Sequence, residues 1–293
     1  MSIFTGVGVA MITPFDSSGI NFDCFGKIID YLIDSGVDML CVCGTTGEPP
    51  TMSDDEKIQA IDFTVKKVAG RVPVVAGVGC NCTADTIVSA QKAEQVGIDG
   101  LLIVTPYYNK CTQNGIVAHY SAIAKSVSTP IIVYNVPGRT GVNIAPQTVA
   151  KLADIDGIVG IKEASGNIAH LQEVIRLVGD KMDVYLGDDA LTYVGMALGA
   201  KGVISVCANV APKQMSVNTS SMLAGDFEQA RKMQFTLNPL IKSLFCEVNP
   251  IPVKKGMNLL GFDAGSPRLP LTEMEDANAL RLEKDMRDLG LIK

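Results

Sequence analysis

Lys162 stands where a strand-like segment ends, in a setting that suits a nucleophilic amine. It closes the apolar run GIVGIK, residues 157–162, in which no other residue carries a charge. Lysine is rarely buried without a reason, and removal from water lowers the pKa of an amine toward neutrality. A neutral amine adds to a ketone and loses water to give an imine, which activates a neighbouring C–H bond. The sequence therefore predicts imine-forming catalysis at Lys162.

An ion pair with Glu163, or extension of the side chain into solvent, is the alternative for Lys162. Adjacent strand residues point to opposite faces of a sheet, so Glu163 is poorly placed to pair with this lysine. The same alternation puts Lys162 on one face with Ile158 and Gly160. If that face points into the fold, Gly160 leaves room for the lysine stem.

Four more polar residues follow apparent strands and could assist such a lysine. Tyr134 ends a strand-like run and could relay protons, although a core tyrosine with a bonded hydroxyl would look the same. Thr45 and Thr46 lie in a glycine-flanked turn whose hydroxyl and N–H groups suit a carboxylate, or simply cap a helix. Arg139, in the loop VPGRTG, could bind a carboxylate through two hydrogen bonds from its guanidinium group, or it could lie free at the surface.

Eight apolar segments rich in Val and Ile recur along the chain, at the spacing of roughly 30 residues that is typical of strand–helix units. They cover residues 7–12, 39–43, 72–78, 100–104, 130–134, 157–162, 183–186 and 202–206. Alternation with helical patterns predicts a parallel sheet, and eight units predict closure into a (β/α)8 TIM barrel. A doubly wound open sheet is the alternative, but no Gly-x-Gly-x-x-Gly follows the first strand.

The strand signal stops after Ala211, and the rest of the chain has helical patterns. We predict one α/β domain over residues 1–293, made of a barrel (1–224) and a C-terminal helical appendage (225–293). In such barrels the functional residues lie at the carboxyl ends of the strands. The polar residues described above therefore fall at one end of the barrel.

The composition excludes several classes of function. A net charge of −6 lacks the basic character of a nucleic-acid-binding surface. No apolar run approaches the roughly 18 residues that span a membrane. The amino terminus has no charged region followed by an apolar stretch, as an export signal would. We therefore expect a cytoplasmic protein that binds neither nucleic acid nor membranes.

Eight cysteines are present, including the Cys-x-Cys pairs Cys41/Cys43 and Cys80/Cys82, both within apparent strands. A chain of this length and apolarity needs no disulfide staples, and it has no export signal. We interpret the cysteines as small core residues of a reducing compartment. The alternative, a zinc site, would want Cys-x-x-Cys spacing or a nearby histidine.

A metal ion is not expected. Asp188, Asp189 and Glu48 follow apparent strands, but a metal-dependent aldolase would usually want histidine ligands as well. The two histidines, His119 and His170, both fall within apparent helices.

Four motifs at the strand ends form a recognisable pattern. They are GTTGE at residues 44–48, TPYYN at 105–109, YNVPGRTG at 134–141 and GIKEASGN at 160–167. Together with NPIPVK at 249–254 and RLPLT at 268–272, they resemble the dihydrodipicolinate synthase family over essentially the whole chain. That family is grouped with N-acetylneuraminate lyase among the aldolases that form an imine.

The resemblance implies a reaction. Pyruvate, carried as an imine on Lys162, would condense with L-aspartate 4-semialdehyde to give 4-hydroxy-tetrahydrodipicolinate, on the route to diaminopimelate and lysine. No metal and no organic cofactor would take part. The family is typically a homotetramer built from two tight dimers, so further copies of the chain are the expected protein partners.

The same resemblance implies roles for individual residues. Tyr134, Thr45 and Tyr108 would form a proton relay, with Tyr108 supplied by a neighbouring subunit. Thr46 would help to hold the carboxylate of pyruvate, and Arg139 would bind the carboxylate of the semialdehyde. Two further residues would line the site: Gly187 and Ile204.

Two other functions stay open. N-acetylneuraminate lyase and the 2-keto-3-deoxy sugar-acid aldolases resemble the chain at Lys162 and Tyr134, but Thr45, Thr46 and Arg139 favour the synthase. A catalytically silent barrel that binds a 2-oxo acid is the second alternative. The complete set of catalytic groups argues against it.

Inhibition by lysine is a further property on which the family divides. Lysine-inhibited members carry a set of interface residues for the inhibitor. Asn81 and Tyr107 match that set, while Asp85 is shorter than the usual glutamate. Three positions depart from it: Pro49, Pro50 and Lys57. Because Lys57 adds a positive charge near a cationic ligand, we expect no tight inhibition by lysine.

Overall fold

Eight parallel strands close into a barrel, in which each strand pairs with its neighbours in sequence and the first pairs with the last. The structure, a computed structural model, describes residues 2–293. The strands are β1 (Gly6–Ala10), β2 (Met39–Val42), β3 (Val74–Gly77), β4 (Gly100–Val104), β5 (Ile131–Asn135), β6 (Ile158–Glu163), β7 (Asp183–Leu186) and β8 (Gly202–Ser205). The predicted (β/α)8 barrel is confirmed, and the doubly wound open sheet was the wrong alternative.

Helices follow the strands and surround the barrel. They are α1 (Phe22–Asp34), α2 (Asp54–Val68), α3 (Thr83–Val96), α4 (Gln113–Ala124), α5 (Pro137–Thr140), α6 (Pro146–Leu152), α7 (Ile168–Val178), α8 (Thr192–Ala197), α9 (Pro212–Leu223), α10 (Phe227–Leu244), α11 (Ile251–Leu259) and α12 (Asp276–Asp288). Short 3-10 turns follow β2, β7 and β8, at Thr45–Gly47, Pro49–Thr51, Asp189–Leu191 and Cys207–Asn209. A two-stranded antiparallel ribbon pairs Phe15–Asp16 with Gly19–Ile20.

Local sequence explains where helix α2 begins. The Ser53 hydroxyl accepts a hydrogen bond from the backbone of Glu56, and the Glu56 carboxylate accepts one from the backbone of Ser53. This reciprocal capping box satisfies two N–H groups that the first helical turn leaves free. Helix α2 therefore starts directly after the loop that carries Thr45 and Thr46.

The core has two layers. The outer layer lies between the strands and the helices, and the inner layer fills the barrel with side chains from alternate strand positions. Near the amino-terminal end of the barrel, the ring of Tyr185 stacks on Phe4 at a centroid distance of 4.3 Å, and its hydroxyl donates to the Phe4 carbonyl. The inner layer closes that end, which leaves the carboxyl end for a cavity.

Strand β6 contains an irregularity that corrects one prediction. Ile158 pairs with Ile131 of β5, but the next pair is Gly160 with Ile132, so Val159 is an extra residue on β6. Such a bulge reverses the alternation of side chains on one side of it. Ile158 consequently packs in the outer layer rather than on the face of Lys162. Gly160 lies on the inner face, where the nearest side chains to a Cβ atom would be Tyr185 and Ile132.

The cysteines are free thiols, and half of them lie in the core. Cys24, Cys41, Cys43 and Cys207 are buried. The placement of Cys80 and Cys82 within a strand was wrong, because β3 ends at Gly77 and both cysteines lie in the loop before α3. At Gly77 a Cβ atom would lie 2.2 Å from the carbonyl oxygen of Cys43, so only glycine permits this close approach of two backbones.

Helices α10, α11 and α12 follow the eighth strand–helix unit, which ends with α9 at Leu223. Helix α10 packs against α9 and α12, so the carboxyl-terminal segment is continuous with the barrel wall. The division of the domain at residue 224 stays a prediction. Within residues 2–293, no helix is both long enough and apolar enough to cross a membrane.

Candidate active site

A cavity of about 370 Å³ opens at the carboxyl end of the barrel strands. The loops after β2, β5, β6 and β7 contribute to its wall, and so do the end of α10 and the turn that follows it. Its lining residues are Thr45, Thr46, Tyr134, Val136, Arg139, Lys162, Ala164, Gly187, Asp188, Ala190, Val206, Ile241, Lys242, Phe245 and Asn249. Six of the residues predicted from sequence thus meet at one cavity.

Lys162 lies at the inner end of this cavity with only 5% of its surface exposed. On β6 it is flanked by Tyr134 of β5 and Tyr185 of β7, which are its partners in strand register. Its Nζ atom lies 4.5 Å from the centroid of the Tyr134 ring. A buried amine beside a phenol at the end of an accessible cavity is the arrangement that imine chemistry requires.

Gly187 makes room for the lysine stem. A Cβ atom on residue 187 would lie 2.9 Å from Lys162 Cε and 2.6 Å from the Cβ atom of Ala164. Both distances are shorter than carbon atoms tolerate without displacement. Gly187 was predicted to line the site through its backbone, and its lack of a side chain also leaves the space that Lys162 occupies.

Glu163 points to the opposite side of the sheet from Lys162, so the alternative ion pair between these neighbours is not formed. Its carboxylate accepts hydrogen bonds of 2.7 Å from the side chain of Asn135 and from the backbone N–H of Ser165. His170 Nε2 lies 3.5 Å from it. Burial acts to raise the pKa of Glu163, but the contacts with His170, Ser165 and Asn135 outweigh burial and keep it below its usual value.

Thr45 and Thr46 lie in the 3-10 turn that follows β2. Thr45 is half-buried, whereas Thr46 is 1% exposed. The Thr46 hydroxyl oxygen accepts a hydrogen bond of 3.0 Å from the side-chain nitrogen of Asn249. Thr46 is therefore held from the carboxyl-terminal segment, and both Thr46 and Asn249 line the cavity.

Arg139 lies at the mouth of the cavity, exposed, on the short helix α5. Its Nη2 atom donates a hydrogen bond of 3.0 Å to the backbone carbonyl of Asn249. Lys242, at the end of α10, is a second exposed cation in the wall, and Asp188 adds one carboxylate. The mouth therefore offers charges of both signs to a ligand.

Asn249 is a site residue that the sequence reasoning missed. It is 5% exposed, it contacts both Thr46 and Arg139, and its side-chain oxygen is buried with no hydrogen-bond partner. The NPIPVK motif drew attention to this turn, but only as part of a family pattern. Nothing in that motif indicates that the turn reaches the cavity.

A second, outer cavity of about 640 Å³ adjoins the first and shares Thr45, Tyr134 and Arg139 with it. Tyr107 and Asp85 line this outer cavity, together with the ion pair of Lys57 and Asp54. Pro49 and Pro50 also line it. The backbone carbonyl of Asn81 accepts a hydrogen bond from Asn109 in the neighbouring loop.

Two of the residues predicted for the active site, Tyr108 and Ile204, lie outside both cavities, and so does Asn81, which was predicted for the lysine site. Tyr108 is 88% exposed, on a backbone with a φ of +71°, and lines neither cavity. Ile204 on β8 is fully buried in the inner layer of the barrel. Neither residue lines the space around Lys162 within a single chain.

Glu48 forms a buried ion pair with a lysine of helix α11. Its carboxylate accepts a hydrogen bond of 2.7 Å from Lys254 Nζ, and both side chains are fully buried. Asp189 accepts hydrogen bonds from the backbones of Val206 and Cys207. Within residues 2–293, no three His, Cys, Asp or Glu side chains are grouped so that they could hold a metal ion.

Comparison with known proteins identifies the family. A sequence model of the Dihydrodipicolinate synthetase family matches residues 3–289. The chain belongs to this family. The 4-hydroxy-tetrahydrodipicolinate synthase of Thermoanaerobacter sp. (strain X514) is 49% identical over 294 residues, which cover 100% of this chain and 99% of the relative.

Solved structures of the family share the whole fold. A dihydrodipicolinate synthase from Thermotoga maritima is 40% identical with a TM-score of 0.98, and the match covers 99% of this chain and 100% of that one. A chloride-inhibited dihydrodipicolinate synthase from Acinetobacter baumannii, solved with pyruvate, is 39% identical with a TM-score of 0.96, and the match again covers 99% of this chain and 100% of that one. The family resemblance predicted from the strand-end motifs is confirmed.

Proposed function

We propose that this protein condenses pyruvate with L-aspartate 4-semialdehyde to form 4-hydroxy-tetrahydrodipicolinate, a step of diaminopimelate and lysine biosynthesis. One observation carries the proposal: Lys162 is buried against the ring of Tyr134 at the inner end of an accessible cavity. Family membership supports the choice of reaction, since the curated relatives are named for this activity.

The reaction begins with attack of Lys162 Nζ on the C2 carbonyl of pyruvate. Water leaves, and the protonated imine that results withdraws electrons from the methyl group. Loss of a methyl proton gives an enamine, which attacks the aldehyde carbon of the second substrate. The amine of that substrate then attacks C2, which closes the ring and releases Lys162. In this scheme the covalent intermediate is carried by the protein itself, without metal or organic cofactor.

Proton transfer would fall to Tyr134, whose ring centroid lies 4.5 Å from the reacting amine, and to Thr45 in the same cavity wall. Tyr108 would complete the relay from a neighbouring subunit. Its side chain is 88% exposed and is free to reach into another chain. We therefore also propose a homotetramer, built as a dimer of dimers, in which Tyr108 is exchanged within a pair.

The charges at the cavity mouth suit the second substrate. L-aspartate 4-semialdehyde carries a carboxylate and an ammonium group at neutral pH. Arg139 and Lys242 provide cations for the carboxylate, and Asp188 provides an anion for the ammonium group. Deeper in the cavity, Thr46 would hold the carboxylate of pyruvate. A sugar aldehyde, the acceptor of the related aldolases, has no charged group to use this pattern.

We expect lysine to inhibit the enzyme only weakly. The outer cavity contains Tyr107 and Asp85, but it also contains Lys57, whose ammonium group lies 3.1 Å from Asp54. The ammonium group of a lysine ligand would have to compete with Lys57 for the carboxylate of Asp54. We further propose that the enzyme works in the cytoplasm, where its free thiols stay reduced.

An assay with paired substrates tests the proposed function. Pyruvate with L-aspartate 4-semialdehyde should be converted, whereas pyruvate with N-acetylmannosamine should react poorly. Lys162→Ala should remove the activity and leave the fold intact. Efficient turnover of the sugar would indicate an aldolase of the lyase type. A folded protein that binds pyruvate and turns over neither pair would indicate the silent barrel.

A further inference from the structure

Asn249 joins two residues that the proposed function assigns to substrate carboxylates. Its side-chain nitrogen donates to the hydroxyl oxygen of Thr46, and its backbone carbonyl accepts from the guanidinium of Arg139, each at 3.0 Å. Asn249 is 5% exposed and lines both the inner and the outer cavity. The turn after α10 therefore connects the loop after β2 with the loop after β5.

We infer that Asn249 is a positioning residue that turns the hydroxyl proton of Thr46 toward the carboxylate of the 2-oxo acid. A hydroxyl group has one proton to donate and two lone pairs to accept with. When one lone pair of Thr46 takes the N–H of Asn249, the proton must point elsewhere. Among residues 2–293, Thr46 has no acceptor for that proton. A carboxylate in the cavity supplies the acceptor.

The direction of the amide is essential to this inference. If the side-chain oxygen of Asn249 faced Thr46, the hydroxyl proton would be consumed within the protein and would not reach a ligand. In the structure the nitrogen faces Thr46, and the oxygen is buried without a partner. A buried oxygen without a hydrogen-bond partner destabilises the protein. This destabilisation accompanies the orientation in which the Asn249 nitrogen donates to Thr46.

The side chain and the backbone of Asn249 act on different residues, so their effects can be separated. A substitution at this position removes the amide that orients Thr46 but keeps the carbonyl that holds Arg139. The inference rests on the proposed function, because it assigns the Thr46 hydroxyl to pyruvate. It predicts that side-chain variants weaken the binding of pyruvate more than that of the semialdehyde.

Steady-state kinetics of Asn249→Ala and Asn249→Asp test this inference. The KM for pyruvate should rise by about 10- to 100-fold, the equivalent of one hydrogen bond to a charged group, with a smaller change in kcat. In Asn249→Asp the rise should shrink as the pH falls, because a protonated carboxyl group can again donate to Thr46. Asn249→Ala should show no such recovery. If instead the Asn249 oxygen faced Thr46, Asn249→Asp should leave the pyruvate KM unchanged, because a carboxylate accepts a hydrogen bond from the Thr46 hydroxyl as well as an amide oxygen does.

A double-mutant cycle with Thr46→Val separates positioning from general structural support. If Asn249 acts through the hydroxyl, Asn249→Ala should add nothing to the pyruvate KM once that hydroxyl is gone. Additive effects would overturn the inference, and so would an unchanged KM in a folded Asn249→Ala protein. Asn249→Ser provides a smaller polar replacement if the alanine variant does not fold.

Asn218 provides a matched control. It is a fully buried asparagine on α9 whose nitrogen donates to Gln234 and whose oxygen also lacks a partner, and it lines neither cavity. Asn218→Asp should lower stability without changing the pyruvate KM. Trapping of pyruvate on the wild-type protein with borohydride distinguishes the two proposals. Loss of trapping contradicts the proposed function, whereas intact trapping with unchanged KM values contradicts only the role of Asn249.

Discussion

Gly187→Ala should disable the enzyme by displacing the lysine stem, although it replaces none of the side chains to which a catalytic or binding role is assigned. The new Cβ atom would lie 2.6 Å from Ala164 Cβ, 2.9 Å from Lys162 Cε and 3.2 Å from Lys162 Cγ. Ala164 has no side-chain torsion with which to yield, so relief of its contact requires a backbone shift. The contact with Lys162 is relieved by movement of the flexible lysine stem. Restoration of a carbon–carbon contact of about 3.5–4.0 Å requires a shift of the stem by about 0.6–1 Å.

A shift of this size is large for catalysis and modest for stability. Misplacement of a reacting group by about 1 Å can slow a reaction by about 100-fold, so we expect kcat to fall by about 10- to 100-fold. Overpacking should destabilise the fold by about 1–3 kcal/mol. Steady-state assays would give kcat, quenched-flow trapping with borohydride would give the rate of imine formation, and thermal unfolding would check the fold.

Gly26→Ala is the matched control for this substitution. Gly26 lies on helix α1, where a Cβ atom would meet Phe63 and Lys67 at ordinary contact distances of 3.5 and 3.6 Å. Alanine is the better helix former, so this variant should keep full activity and unfold no more easily than the wild type. If folded Gly187→Ala protein formed the imine at the wild-type rate, the role assigned to residue 187 would be wrong.

Three other predictions follow from the same contacts. Lys254→Met should lower the free energy of unfolding by about 3–5 kcal/mol, because it leaves the buried carboxylate of Glu48 without its cation. Urea titration should show that adding Glu48→Gln restores part of this free energy. An unchanged free energy of unfolding in Lys254→Met would contradict a buried charged pair. Thiol labelling of native protein should modify the exposed Cys82 first, whereas Cys43, whose pKa burial raises to about 12, should react only after unfolding; early labelling of residue 43 would refute its burial. The guanidinium of Arg268 donates hydrogen bonds of 2.6 and 3.0 Å to Glu56 and lowers the pKa of that carboxyl group to about 2 from an ordinary 4.5. The stability that this ion pair contributes should be complete above about pH 4.5 and lost toward pH 2. A stability difference between the wild type and Glu56→Gln that did not shrink with acid would argue against the ion pair.

The barrel could be predicted from sequence because strands buried on both faces are written as continuous apolar runs. The eight runs and the helical stretches between them fixed the number and order of units. The face of Ile158 could not be predicted, because the bulge at Val159 arises from pairing with β5 rather than from the pattern within β6. Cys80 and Cys82 were misplaced for a similar reason, since β3 ends where Gly77 passes close to another backbone.

The central residues of the site could be predicted because they follow strands, and strand ends converge in a barrel. Lys162 and Tyr134 could be placed by that argument alone. Thr46 and Arg139 required in addition that the polar loops after the strands be read as part of the site. Asn249 required the tertiary structure, because its contacts lie 110 residues away at Arg139 and 203 residues away at Thr46. Polar contacts over such separations leave no periodic signal in a single sequence.

The most direct test of the account is to identify the side chain that captures pyruvate. Protein incubated with pyruvate and reduced with borohydride would be digested and analysed by mass spectrometry. We predict one pyruvate-derived adduct per chain, located on Lys162, and none in Lys162→Ala. An unmodified Lys162 in protein that still converts pyruvate and the semialdehyde would contradict the mechanism at its first step.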